Sequence, residues 1–243
     1  MSKTVFITGA TRGIGKATVR VFAENGWTIV AHARKYSEEF ERCLTELASS
    51  SKVSILPVYF DMLDTAAMKE CVQQLKRKGF RIDALVNNAG VAHGGLFQMT
   101  PVSTIKEVFD VNLFAQMELT QLVLKIMPKE GASIVNVASV AGIYFRSGNS
   151  AYGVSKAAMI AWTKVLQTEL RDRVRVNAVA PGLTDTDMAQ KMEEELRAIT
   201  LSRAAISRLA KPEEVAQTIF FLSSDSASFI TGQVLSVDGG GGI

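Results

Sequence analysis

The 243-residue chain is poor in cysteine, histidine and proline, with two, two and five of each. Cys43 and Cys71 fall in separate amphipathic stretches, and neither His32 nor His93 stands near a cysteine pair. Such a set gives no disulfide framework and no metal site, and free thiols in a reducing compartment are expected. No apolar run is long enough for a bilayer span. The first β-branched run begins by Val5, which leaves no room ahead of it for a signal peptide; a cytoplasmic protein with no membrane partner is expected. Neither sign of charge dominates: 27 Lys and Arg against 24 Asp and Glu leave +3, spread along the chain. That balance suits an anionic small ligand and offers no basic block for nucleic acid. Linkers, repeats and low-complexity tracts are lacking too. With 47% hydrophobic and 21% charged residues, the chain reads as one globular domain over residues 1–243, long enough for a sizeable core.

What is present is an alternation. Short β-branched runs at 5–7, 28–33, 53–59, 84–87, 133–138, 175–180 and 234–237 take turns with amphipathic stretches at 13–24, 37–49, 65–78, 104–127, 151–170 and 213–222. The runs are apolar on both faces, as befits a parallel sheet covered by helices on both sides. The pattern predicts βαβ units and an α/β, doubly wound parallel sheet. Residues 185–208 break the rhythm: they are polar, with Met188, Met192, Leu196 and Ile199 at roughly helical spacing. A helical lid over a ligand and an ordinary pair of surface helices both fit that segment.

The first run leads straight into Thr8-Gly9-Ala10-Thr11-Arg12-Gly13-Ile14-Gly15 and then an amphipathic helix. Glycines at 9, 13 and 15 would permit tight backbone angles, close approach to a pyrophosphate and close helix–sheet packing. The free N–H groups of the helix N-terminus would meet the phosphates. A glycine-rich turn placed between strand and helix is a strong dinucleotide signal, carried by Gly9, Thr11, Arg12, Gly13, Ile14 and Gly15. NAD-binding units usually end the second strand on Asp or Glu; here it ends Ala31-His32-Ala33-Arg34-Lys35. Arg34 and Arg12 can reach toward a 2′-phosphate, to which the planar guanidinium is suited, so NADP(H) is the expected cofactor. His32 reads as a packing residue at a strand end rather than a base.

Tyr152 and Lys156 stand at i and i+4 on a predicted helix and share one face. A free tyrosine has a pKa of about 10, and a neighbouring ammonium favours the phenolate and lowers that value; Tyr152 is expected to serve as general acid and base. Ser139 closes the fifth run, at the edge where open α/β sheets bind ligands, and can donate to a substrate oxygen.

Together with the turn at Gly9, Gly13 and Gly15, the runs Asn87-Asn88-Ala89-Gly90 and Pro181-Gly182 leading to Thr186 complete a set of motifs in fixed order. Over essentially its whole length the chain resembles the short-chain dehydrogenase/reductase family. The resemblance implies a single-domain Rossmann fold, a seven-stranded sheet of order 3-2-1-4-5-6-7, a homotetramer, and an oxidoreductase acting on a ketone or alcohol. It also implies roles: Lys156 holding the nicotinamide ribose, Asn112 positioning a water in a proton relay, and Asp61 and Met62 framing the adenine. Asn88 and Gly90 would line the ribose, with Gly182, Thr184 and Thr186 beside the nicotinamide amide. Asn112 lies within an apolar stretch, where a polar side chain needs a partner. Asp61, following a strand, also reads as a helix start.

Within the family the chain resembles 3-oxoacyl-acyl-carrier-protein reductases in three segments: Ile230-Thr231-Gly232-Gln233 through Gly240, Ala138-Ser139-Val140-Ala141-Gly142, and Pro181-Gly182 leading to Thr186-Asp187-Met188. It departs from them at Val91-Ala92-His93-Gly94-Gly95, and at Pro128-Lys129-Glu130-Gly131-Ala132, where an arginine for docking acyl carrier protein is often found. Arg171 and Arg173 remain as docking candidates. The substrate is thus a ketone, either an acyl thioester or a sugar, polyol or secondary-metabolite ketone. Its selection is expected to lie in residues 142–149, including Tyr144, Phe145 and Arg146, and in 185–208. A regulatory dinucleotide-binding protein without turnover is the remaining reading.

Overall fold

The structure, a computed structural model, describes residues 2–190 and 192–241, and of Leu196 the backbone alone. Seven parallel strands form one sheet in the order β3-β2-β1-β4-β5-β6-β7: β1 (Thr4–Ile7), β2 (Thr28–Ala33), β3 (Ile55–Tyr59), β4 (Ala84–Asn87), β5 (Ala132–Val137), β6 (Val174–Pro181) and β7 (Val234–Val237). The expected doubly wound Rossmann sheet is what is found.

Alternation along the strands divides the core. Val5 and Ile7 face the side covered by α1 (Gly13–Glu24), α2 (Glu38–Ser51) and α9 (Pro212–Ser223), through Phe22, Phe40 and Ile219. Phe6 faces the side covered by α3 (Thr65–Arg77), α5 (Ala115–Val123) and α6 (Tyr152–Leu170), through Met68, Leu119 and Leu166. Strands fully buried on both faces explain the continuous apolar runs of the sequence. The edge strand β3 is only half-buried and carries Pro57, in keeping with the placement of strand prolines at sheet edges. No described helix is long and apolar enough to cross a membrane.

Two expectations shift. Strand three starts at Ile55 rather than 53, because Lys52 takes a left-handed conformation (φ 56°) that ends α2 and turns the chain. The stretch 104–127 is not one regular helix. It forms α4 (Val102–Phe109), a π-helical turn (Asp110–Phe114) and α5. Residues 185–208 fold as α7 (Asp187–Gln190) and α8 (Glu194–Ser202), with Met188 and Ile199 exposed. Lys191 and the side chain of Leu196 lie outside the described residues.

Candidate active site

All the motifs meet at the C-terminal edge of the sheet. The β1–α1 turn needs left-handed backbone at Gly9 (φ 66°) and Gly13 (φ 52°). A Cβ on Gly15 would lie 2.1 Å from the Gly9 carbonyl oxygen, and one on Gly13 would lie 2.9 Å from Thr186 Cγ2. Thr8 and Asn88 lock this turn to β4. The Thr8 hydroxyl accepts from the Asn88 and Ala89 N–H groups at 2.9 Å each, and Asn88 Nδ2 donates to the Thr8 and Gly9 carbonyls at 2.8 and 3.1 Å. Asn88 therefore spends its amide on the turn. No side chain caps the N-terminus of α1, so its first-turn N–H groups remain for an anion. Thr11 and Arg12 are exposed and Ile14 packs on the core. This cradle, which a single added Cβ would fill, fits a dinucleotide pyrophosphate.

Arg34 is exposed just beyond β2. Arg12 is also exposed, but Nη1 pairs with Asp187 Oδ2 at 3.0 Å, joining the turn to α7. Asp61 is not the helix cap. Its carboxylate accepts from Leu63 N–H at 3.0 Å, whereas Asp64 caps α3 by accepting from Ala67 N–H at 3.0 Å. The side chain of Met62 is buried in the α3-side core.

Ser139 follows β5 and opens a 3-10 turn, Val140–Gly142, its Oγ accepting from Ala141 N–H at 3.1 Å. That turn lies directly on α6: a Cβ on Gly142 would come within 2.6 Å of Ala157 N, and one on Gly153 within 2.7 Å of the Ala141 oxygen. The contact brings Ser139 alongside Tyr152, where its hydroxyl favours the phenolate. Lys156, one turn on, is buried, with Nζ 5.9 Å from the Tyr152 ring centroid and donating to the Val137 carbonyl at 2.7 Å.

Asn112 sits in the π-helical turn. Its Oδ1 accepts from Val91 N–H at 2.8 Å, and its Nδ2 donates to the Val91 carbonyl at 2.9 Å and to Ser155 Oγ at 3.0 Å. The wide turn lets the amide reach these partners, a common use of π-bulges. A Cβ on Gly90 would meet both Asn112 Oδ1 at 3.1 Å and Lys156 Nζ at 3.5 Å, so these three motif residues converge. Gly182 lies against Asp238, and the Thr184 and Thr186 hydroxyls donate to the Gly182 and Thr184 carbonyls at 3.2 Å each. Sequence reasoning missed Thr8 and Ser155 as parts of this site. Both lie inside motifs, but each acts through a backbone or side-chain partner remote in sequence.

The electrostatics depart from expectation. Burial holds the Tyr152 phenol above the ordinary tyrosine value, with the Ser139 contact pulling the other way. Burial also draws Lys156 down to about 8. Desolvation outweighs the Ser139 contact at the phenol, and Lys156 directs its Nζ at the Val137 carbonyl.

Two loops and α8 meet just ahead of Tyr152 and form the mouth of the site. Gly95 pairs with Asn149 and its N–H donates to the Gly148 carbonyl at 3.0 Å, just ahead of Tyr152. Arg146 donates to Thr200 Oγ1 at 3.2 Å, holding α8 to the same region. Leu96, Phe97 and Met99, then Tyr144 and Phe145, then Ile199 of α8 present exposed apolar surface there.

A family model described as enoyl-(acyl carrier protein) reductase matches residues 9–241. The chain is 43% identical to a 3-oxoacyl-[acyl-carrier-protein] reductase of Thermotoga maritima, over 98% of this chain and 97% of that one. It is 39% identical to a 7alpha-hydroxysteroid dehydrogenase of Bacteroides fragilis, over 98% and 94%. Among solved structures, a short-chain dehydrogenase from Burkholderia cenocepacia in complex with NADP superposes with a TM-score of 0.91 at 29% identity, covering 99% of this chain and 98% of that one. The chain belongs to the short-chain dehydrogenase/reductase family. It is an oxidoreductase acting on CH–OH and C=O groups, with a fold that binds a nicotinamide dinucleotide.

Proposed function

We propose that the protein reduces a 3-oxoacyl thioester to the secondary alcohol with NADPH, in fatty acid biosynthesis. The observation that carries this reading is the Ser139–Tyr152–Lys156 group, with Ser139 and Lys156 buried and Tyr152 half-buried, beside an apolar mouth. Leu96, Phe97, Met99, Tyr144 and Phe145 suit an acyl chain and give a sugar few partners. Arg34, with no carboxylate at the end of β2, favours NADPH over NADH, and the relative from Thermotoga maritima supports the thioester.

Reduced nicotinamide, when bound, supplies a hydride to the carbonyl carbon. Tyr152, held protonated by its buried setting, donates its proton to the carbonyl oxygen, and Ser139 steadies that oxygen by hydrogen bonding. Lys156 is placed to hold the nicotinamide ribose, and Asn112 would position a relay water. Gly9, Gly13, Ile14 and Gly15, with Thr11 and Arg12, would take the phosphates. Asp61 and Met62 would flank the adenine, and Asn88, Gly90, Gly182, Thr184 and Thr186 the ribose and amide. The same reading makes the protein a cytoplasmic homotetramer whose substrate is delivered by acyl carrier protein. Arg171 and Arg173 follow α6 at its far end, roughly 27 Å along the helix from Tyr152 at 1.5 Å per residue, so a carrier serving this chain's own Tyr152 does not rest on them.

NADPH oxidation followed by absorbance, with acetoacetyl-CoA and an acyl-carrier-protein thioester, tests the proposal. Expected are faster turnover on the carrier thioester, preference over NADH, and a loss of two to four orders of magnitude, roughly, in Tyr152→Phe. Cofactor binding without thioester turnover would move the substrate to an apolar polycyclic alcohol, which the likeness to a hydroxysteroid dehydrogenase favours next. Preference for NADH would overturn the reading of Arg34.

A further inference from the structure

His32 is buried at the end of β2, 2% exposed, and its ring packs on Phe60 with centroids 4.1 Å apart. Nε2 lies 2.8 Å from the Phe60 carbonyl, which can only accept, so Nε2 carries the proton. Nδ1 is then a lone pair, and it accepts from the Gly9 N–H at 3.2 Å. The backbone adds a second tie, Ala10 N–H to the His32 carbonyl at 2.9 Å. One imidazole thus bridges the phosphate turn to the end of β3, immediately before Asp61 and Met62. Burial draws the imidazole down to about 4, so the bridging tautomer persists at neutral pH.

We infer that His32 is a positioning residue for the dinucleotide: it fixes the first amide of the phosphate turn and couples that turn to the Phe60–Met62 segment flanking the adenine. It touches no reacting atom, so its effect falls on cofactor affinity rather than on the chemical step. The inference rests on the dinucleotide reading of the site.

Amide replacements separate the two ring contacts. His32→Asn places an oxygen where Nδ1 stands and keeps the Gly9 contact. His32→Gln keeps a donor toward Phe60 but has no acceptor at the Nδ1 position. His32→Phe loses both and keeps the bulk. On the full chain, NADPH and NADH dissociation constants, steady-state constants, melting temperature and Gly9 amide exchange would be measured. Expected is a weakening of NADPH binding by about tenfold in the Gln and Phe variants, the equivalent of one hydrogen bond, with faster Gly9 exchange. Saturating kcat should stay within about twofold, and the Asn variant should bind within about threefold of the parent. If His32→Gln binds as tightly as the parent, or if the folded Asn and Gln variants weaken equally, the inference falls. A parent protein that binds neither dinucleotide would instead overturn the cofactor reading beneath it.

Discussion

Lys156 carries a stability cost at the candidate site. Its ammonium is buried with one hydrogen bond, to the Val137 carbonyl, and its pKa is drawn from 10.5 to about 8. A depressed lysine means that the unfolded chain binds more protons than the folded one between those values, so stability rises with pH across the window from about 8 to 10.5. Below about pH 8 the full penalty, about 3 kcal/mol, is present. Lys156→Met removes the penalty along with a hydrogen bond worth about 1 kcal/mol, so the variant should be more stable than the parent at pH 7 by about 2 kcal/mol while losing activity. Urea denaturation of both proteins at pH 7, 8.5 and 10 checks this; the gap should close as pH rises, and a gap that widens would contradict it. The sequence placed Tyr152 and Lys156 together through i, i+4 spacing alone. It did not disclose which way Nζ turns, because Val137 reaches it only through the β5–α6 packing.

At the scale of the elements, the phosphate turn turns an ordinary helix rule around. Glycine inside a helix is worse than alanine by about 1 kcal/mol, yet a Cβ on Gly15 would lie 2.1 Å from the Gly9 oxygen and 2.6 Å from Asn88 Nδ2. Backbone cannot give way as a flexible side chain can, so overpacking outweighs propensity. Gly15→Ala should lower stability by about 2 kcal/mol or more and weaken NADPH binding. Gly94→Ala, where an added Cβ meets nothing within 4 Å, should change neither; thermal melts and cofactor titrations of the two compare them. The inner strands were legible in the sequence because both faces are buried, and the cradle because its glycines have a fixed spacing. The break at Asp110–Phe114 was not. Apolar residues continue through it, and the cause is a reach by Asn112 to Val91 and Ser155, neither of which lies within its own helix turn. Asn112→Ala strands the Val91 N–H and carbonyl and should cost about 2–3 kcal/mol, read as a lowered urea midpoint.

Apolar surface remote from the mouth lies open along α6 and at the β7 edge, among other places. Along α6, Val154, Ala161 and Val165 are exposed and Ala158 half-buried; their i, i+4, i+7, i+11 spacing makes one stripe. The opposite side of the helix, with Ser155, Met159 and Leu166, is buried against the sheet. At the β7 edge, Phe229 is fully exposed and Leu235 is open. Apolar surface on two separate faces is what a tetramer built from two kinds of two-fold contact requires. The same sequence periodicity describes a core face and a subunit face, so the stripe gained meaning only once the fold showed which side of α6 the sheet had taken. If the homotetramer is correct, Val165→Asp should convert it to dimers, as should Phe229→Asp on the other face, and the double variant should sediment as a monomer. Each single variant should keep its melting temperature within a few degrees, because neither side chain is part of the core. Sedimentation velocity gives the answer directly. A parent protein that sediments as a monomer would return both patches to ordinary solvent exposure, and a tetramer unmoved by Val165→Asp would place its interface elsewhere.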